Sequence, residues 1–335
     1  MKKYLFFISI FFISCQDEIT LDLPQAENKL VIEGAIENGF PPYIIITKNQ
    51  GYFDPISDNP LLDIIVNDAI VKVWTYDEDG RKDSVMLEQL PPPLDSTFIY
   101  TDINLIDNSG LVDFLGEAGK TYYLEINWNN QIITSETTIP NPTPLDCLWV
   151  QQSETADKDF KCDIRALYSD PADQQNNILI KSKRLEHYTF NEDSCTTKKK
   201  EDFPFQFVDA GSDVLINGQS FETYFPKPKE NGFPTGAYNS SHERECDDGS
   251  TLELKEDIVL IKFCQIDEPS MKFWRGLIRQ VGTNGNPFAE PMNLLSNING
   301  GLGVFTGYGT VYYKVPIIKG TTIDYEYSPN IIDIF

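Results

Sequence analysis

Leu30-Val31-Ile32-Glu33-Gly34-Ala35-Ile36-Glu37 is the stretch from which the fold is read. Leu30, Ile32 and Ile36 alternate with Glu33 and Glu37, the two-residue period of a strand that lays one face on a core. Runs of the same kind follow at residues 43–48, 69–76, 84–90, 97–100, 121–128 and 132–139, rich in Ile, Val, Tyr and Thr. Such side chains suit a pleated, half-buried surface. Turn signals separate the runs: Asn38-Gly39, Asp77-Glu78-Asp79-Gly80, Pro91-Pro92-Pro93 and Asn129-Asn130. Short strands at this spacing, with no helix-period run between them, predict an immunoglobulin-like β-sandwich over residues 28–140.

Pro140-Asn141-Pro142-Thr143-Pro144 cannot continue a ladder, so a domain boundary is expected there. Residues 146–335 form a second β-rich domain, with strands at 147–151, 161–168, 178–190, 213–216, 221–225, 252–264 and 304–315. One main helix is expected near 269–281. Asp267 or Ser270 can cap it. Phe273, Trp274, Leu277, Ile278 and Val281 recur at helical spacing, and Gly282 stops it. The fold class is therefore mostly β with one helix, its aromatic stripe turned onto a sheet.

The chain has 335 residues and a formal charge of −24. That balance argues against nucleic-acid partners, whose phosphates require Lys and Arg. It leaves neutral ligands, cations and basic partners open. Met1-Lys2-Lys3-Tyr4, an apolar run to Ile13, and Ser14-Cys15 make an export signal over residues 1–14. The run is shorter than the roughly 20 residues that span a bilayer. Phe12-Ile13-Ser14-Cys15 matches a relaxed lipoprotein box, so Cys15 is the expected lipid-attachment residue and the outer membrane an expected partner. Gln16-Asp17-Glu18 opens an acidic tether over 15–27 and resembles an acidic signal for export to the outer surface.

Five cysteines follow Cys15: Cys147, Cys162, Cys195, Cys246 and Cys264. None is spaced as a zinc pair. An exported chain meets an oxidising compartment, and Cys195 with Cys246, both in polar, turn-rich stretches, is the expected disulfide. The odd count leaves at least one thiol free and buried. His187 and His242 are the only histidines, and neither sits in a zinc-protease pattern. No nucleophile elbow or phosphate loop is present. Asp77-Glu78-Asp79-Gly80 and Asp247-Asp248-Gly249 lack the later ligands of a calcium loop and read as turns. Gly300-Gly301-Leu302-Gly303 reads as a turn or bulge entering a strand. Lys198-Lys199-Lys200 reads as a solvated loop. Trp74, Trp128, Trp149 and Trp274 read as core residues rather than sugar-stacking ones. No catalytic residue, metal or cofactor is assigned.

Asn286-Pro287-Phe288-Ala289-Glu290-Pro291, followed by Asn297-Ile298-Asn299-Gly300-Gly301-Leu302-Gly303-Val304-Phe305, resembles the closing signature of a Bacteroidota lipoprotein family, domain of unknown function 4249. Leu30-Val31-Ile32-Glu33-Gly34, Asn67-Asp68-Ala69-Ile70-Val71 and Tyr168-Ser169-Asp170-Pro171 extend the resemblance over nearly the whole mature chain. The resemblance implies an accessory lipoprotein beside a TonB-dependent outer-membrane transporter, and brings no catalytic residues. Physically, Pro287 and Pro291 break the chain, Phe288 is an apolar anchor, and the glycines permit close strand approach, a clamp between helix and sheet. The expected function is thus non-enzymatic: a surface lipoprotein that binds a transporter barrel and aids nutrient capture. A free-standing adhesin or structural lipoprotein is the alternative, with a glycan or peptide hydrolase behind it.

Overall fold

The structure is a computed structural model. It describes residues 29–50, 58–90, 98–105, 112–152, 160–172, 174–191, 196–201, 205–213, 216–227, 238–240, 243–245, 251–253, 258–282, 293–317, 322–323 and 327–329. The first part of the chain gives β1 (Leu30–Glu37), β2 (Tyr43–Lys48), a one-turn helix α1 (Pro60–Ile64), β3 (Ile70–Tyr76), β4 (Lys82–Gln89), β5 (Ile99–Thr101), β6 (Thr121–Trp128) and β7 (Gln131–Thr138). After the proline run come β8 (Cys147–Gln152), β9 (Phe160–Ser169), β10 (Asn177–Asn191), β11 (Thr196–Glu201), β12 (Gln206–Ser212) and β13 (Ser220–Phe225). The short strands β14 (Tyr238–Ser240), β15 (Glu243–Glu245) and β16 (Thr251–Glu253) precede β17 (Ile258–Gln265). Helix α2 (Glu268–Gly282), β18 (Ile298–Asn299), β19 (Leu302–Pro316) and β20 (Thr322–Ile323) complete the order. The chain is mostly β with one main helix, as expected.

One large sheet runs β11-β10-β17-β19-β1-β2-β5-β4-β3-β6-β7-β18, with β12 also on β10, and a smaller one runs β13-β9-β8-β20, with β14 on β9. The ladder between β1 and β19 is parallel, Val31 opposite Leu302 through Glu37 opposite Tyr308. Hydrogen bonding therefore crosses the Pro140–Pro144 run at which the sequence suggests a boundary. The reason lies in β19, buried at every residue from Gly303 to Tyr313. A strand buried on both faces needs partners on both sides, and its neighbours are β1 and β17.

β19 touches three cores. Phe305 joins Ile32, Ile44, Val73, Leu124 and Ile126 between the strands of the first part. Val311, Tyr313 and Val315 join Leu148, Ile164 and Phe263, where the smaller sheet covers the larger. Val304 and Tyr308 join Trp274, Met271 and Phe273 beneath α2. Gly303 sits at φ 105°, and a Cβ there would collide with the carbonyl of Ile32, so only glycine admits the β1–β19 approach.

The start of α2 is fixed as expected. Asp267 Oδ1 accepts from Ser270 N at 2.9 Å, and Asp267 Oδ2 accepts from Thr137 Oγ1 at 2.7 Å, so one carboxylate caps the helix and ties it to β7. Its apolar stripe ends earlier than the spacing suggests: Val281 is 53% exposed. Three other expectations are corrected. Asp213 and Ile216, the described ends of the 213–216 run, lie outside any strand and are joined by Ile216 N to Asp213 O, and the preceding β12 is the strand. Lys198-Lys199-Lys200 belong to β11, because the far half of the long β10 needs a ladder partner. The 252–264 run contains two strands, β16 and β17, with different partners.

Candidate functional site

The solvent face of β3, β4, β6 and β7 is built from the residues that alternate outwards. In β3, Val71, Val73 and Thr75 turn in, while Ile70, Lys72, Trp74 and Tyr76 turn out. Register places Tyr123 and Ser84 on either side of Trp74. The Trp74 and Tyr123 rings stack with centroids 5.6 Å apart and planes at 18°, and Tyr76 meets Tyr123 edge-on at 5.9 Å. From the β4 side, Lys82 Nζ lies 4.0 Å from the Trp74 ring centre. Both faces of Trp74 are thus covered within the sheet. Its outward edge remains, which fits protein side chains better than a flat sugar ring that needs a free aromatic face.

On the same face, Lys72 lies outward between Met86 and Glu125, in the row that separates the stack from Ile70 and Ile132. Ile70 and Ile132, both opposite Asn127, are 60% and 64% exposed, and Met86 and Tyr76 are about half exposed. Exposed apolar side chains thus stand among charged ones on this face. The core reading of the tryptophans therefore holds in full only for Trp274, whose Nε1 donates to Thr306 Oγ1 at 3.0 Å. Trp74, Trp128 and Trp149 are half-buried. Trp128 still rests on the core while its Nε1 donates to Asp68 Oδ1 at 2.7 Å. The sequence marked residues 69–76 as a strand but read Trp74 as a core residue, whereas it lies on the outward face.

Sequence reasoning missed a second cluster, buried between α2 and the sheet. Lys262 of β17 donates to Glu37 Oε2 of β1, both fully inside. Beside it in register stands Lys181 of β10, also buried. Lys181 Nζ donates to Tyr308 Oη at 3.3 Å and lies 4.5, 4.9 and 5.0 Å from the ring centres of Phe207, Trp274 and Tyr308. Burial and then the Lys262 charge pull the Lys181 ammonium down to about 8. For Lys262, burial is the largest influence and pushes down, but the Glu37 charge, Tyr43, Cys264 and the Glu37 hydrogen bond together outweigh it and hold the ammonium above its ordinary range. Burial raises the Tyr43, Tyr308 and Tyr312 hydroxyls and lifts the Cys264 thiol to about 11. These groups stay protonated at neutral pH, so the thiol is a poor nucleophile there. Glu37 was legible only as one more alternating residue of β1.

The expected signature residues divide. Asn297, Gly300, Gly301, Gly303 and Phe305 come together at the entry to β19. Asn297 Nδ2 donates to Phe305 O at 2.7 Å and Phe305 N donates to Asn297 Oδ1 at 2.9 Å. Ser296 Oγ donates to Gly303 O at 2.7 Å, and Gly300 turns the chain at φ 84°. This part of the signature is a structural clamp. Asn286, Pro287, Phe288, Glu290 and Pro291 lie outside the described residues, as do Cys15, Gln16, Asp17, Glu18, Cys195, Cys246, His242 and Asp247-Asp248-Gly249. His187 stands in β10 opposite Lys199. Cys264 is a buried free thiol and Cys147 an exposed one. Asp77-Glu78-Asp79-Gly80 is the β3–β4 hairpin turn, closed by Asp77 N to Arg81 O at 2.9 Å. Among the described residues no three His, Cys, Asp or Glu side chains converge on a metal position, and no helix is long and apolar enough to cross a membrane.

Sheet and docked helix define a mostly β protein with one main helix. The chain belongs to the family described as Domain of unknown function (DUF4249), whose profile matches residues 16–313. No curated protein matches. Among solved structures, a crystal structure of a Salmonella alpha-2-macroglobulin mutant is similar at 11% identity, over 72% of this chain and 14% of that one, with a TM-score of 0.20. At that score the likeness carries no structural argument, and the chain spans a small part of that protein's length.

Proposed function

We propose that this protein is a non-enzymatic surface lipoprotein, tethered to the outer membrane through Cys15, that docks as an accessory subunit on a TonB-dependent transporter barrel and helps it take up nutrient. The observation that carries the reading is the outward face of β3, β4, β6 and β7, where Ile70, Tyr76, Met86 and Ile132 stand exposed around the Trp74–Tyr123 stack. Apolar and aromatic anchors inside a polar rim are what a protein partner uses. The lipoprotein box and the acidic tether that begins at Gln16 support attachment to a membrane from outside the cytoplasm.

The test is affinity isolation of the tagged full chain from detergent-solubilised outer membranes, with the lipid state of Cys15 read by mass spectrometry. A transporter barrel recovered with the wild type and lost with Tyr76→Lys/Ile132→Lys supports the reading. No barrel with the wild type, or equal recovery with the double variant, overturns docking through this face. An acylated Cys15 with no barrel partner favours a free-standing adhesin.

A further inference from the structure

The smaller sheet turns alternate residues outwards. Leu148 and Val150 of β8, Ile164, Ala166 and Tyr168 of β9 and Phe225 of β13 face the core it shares with the larger sheet. The residues between them face away. Register sets Trp149 of β8 and Tyr224 of β13 opposite Arg165 of β9, one on each side, so the three form a single row across the strands. Neighbouring strands lie roughly 4.8 Å apart, so the two rings spring from backbones about 10 Å apart.

Tyr224 is 60% exposed, and Trp149 is half-buried. Among the described residues no ring and no ammonium covers either of them. That separates them from Trp74, stacked on Tyr123 and overlain by Lys82. An uncovered aromatic face is what a sugar ring stacks on. Between the two rings, Arg165 Nη1 donates to Glu222 Oε1 at 2.5 Å, which holds the guanidinium on the sheet face, where its donors suit sugar hydroxyls. On one side of the row Gln151 pairs with Asp163, and on the other Cys147 pairs with Leu167. Amide, carboxylate and guanidinium therefore flank the rings, the groups that exchange hydrogen bonds with hydroxyls. A protein contact is built instead round an anchor sealed from water by its neighbours. Among the described residues this row has only Leu167 and the Cys147 thiol as exposed apolar neighbours. Asp163 and Glu222 outnumber Arg165 on the face, which disfavours an anionic chain. A flat β-linked chain repeats its ring orientation every second sugar, and so meets two stacking points set two strands apart. A coiled α-linked chain curves away from a sheet.

We propose that the outward face of the smaller sheet binds a neutral, β-linked polysaccharide, with Trp149 and Tyr224 stacking on alternate sugar rings and Arg165 hydrogen-bonding the ring between them. The site lies on a different sheet from Trp74 and needs neither membrane attachment nor a transporter.

The experiment is native affinity electrophoresis of the purified full chain in gels containing hydroxyethylcellulose, xyloglucan or galactomannan, with glycogen as the α-linked control and polygalacturonate as the anionic one. At least one of the three neutral β-linked polymers is expected to retard the wild type, and neither control to do so. Trp149→Ala and Tyr224→Ala should each weaken the retardation by about tenfold in affinity, the worth of one aromatic contact. Tyr224→Phe, which keeps the ring, should bind as the wild type does. No retardation by any of the three overturns the proposal, as does equal retardation by either control, or retardation unchanged in both alanine variants. If Trp149→Ala fails to fold, the exposed Tyr224 decides through its alanine and phenylalanine variants. If no polymer binds, and Trp149→Ala/Tyr224→Ala loses the transporter barrel in affinity isolation, the row is a protein contact: this proposal falls while the docking reading stands.

Discussion

Lys262 of β17 donates its hydrogen bond to the Glu37 carboxylate of β1, across 225 residues of sequence, with β19 running between the two strands. The pair therefore closes a three-strand contact that includes the parallel β1–β19 ladder. Two charges leave water to make it, so its net worth against an apolar pair is small, but either charge alone would be stranded. Lys262→Met or Glu37→Gln should each cost about 3–5 kcal/mol in urea unfolding. Lys262→Met/Glu37→Met should recover most of that loss. A double variant as unstable as the sum of the singles would show that the two side chains contribute independently, with no coupling between them.

Lys181 gives the fold an alkaline signature. Its folded pKa of about 8 lies below the ordinary lysine value of 10.5, so the unfolded chain binds more protons between those limits. Unfolding free energy rises with pH wherever the unfolded state holds the extra protons. The Lys181 contribution should therefore grow as pH goes from about 8 towards 10. Above that, the raised hydroxyls of Tyr43 and Tyr308 act in the opposite sense, because the unfolded tyrosines ionise first. Between pH 7 and 10 the urea midpoint of the wild type should rise relative to that of Lys181→Met, in which the raised Cys264 thiol lowers stability from about pH 9 with no lysine contribution to offset it. An equal climb in both would remove Lys181 from the account.

The alternation of β1 and the helical stripe of α2 were legible because each depends on local period alone. Asp267 was legible as a cap for the same reason. The parallel pairing of β1 with β19 was not, since nothing within either strand names its partner. Once β19 is seen buried on both faces, the inward position of Glu37 follows from register: it stands opposite Tyr308, under the helix, and needs Lys262. Lys198-Lys199-Lys200 misled because charge suggested a loop, whereas β10 imposed a ladder on them. The exposed face around Trp74 was hidden for a related reason. A tryptophan in a strand is ordinarily covered, and whether a second layer covers it is decided by distant parts of the chain. Of the signature, the clamp role of the glycines could be argued in advance, but the two hydrogen bonds of Asn297 to Phe305 could not.

Those two hydrogen bonds give a sharp test of the clamp. Asn297 supplies a donor and an acceptor to both backbone groups of Phe305, a residue buried in the first core. Asn297→Ala leaves a buried N–H and a buried carbonyl unmatched, at about 1–3 kcal/mol each. Asn297→Asp keeps the acceptor and should lose less. Chemical denaturation of the two variants distinguishes them, and equal losses would mean that packing rather than hydrogen bonding is at work.

Gly303 is the position where the β1–β19 approach is least forgiving. Its φ of 105° is strained for any other residue, and the Ile32 carbonyl fills the space a Cβ would take. Because that contact is with backbone, no side-chain rotation relieves it, and the parallel ladder itself would have to move. Gly303→Ala should therefore lower stability by more than the roughly 1 kcal/mol of conformational strain alone, and weaken exchange protection along β1. Gly211 in β12 is the control: nothing lies within 4 Å of a Cβ there, and Gly211→Ala should be nearly neutral. Hydrogen exchange on the two variants separates the effects, since a shared loss of protection would implicate glycine removal in general. Loss confined to Gly303→Ala places the constraint in the contact between β19 and the Ile32 carbonyl.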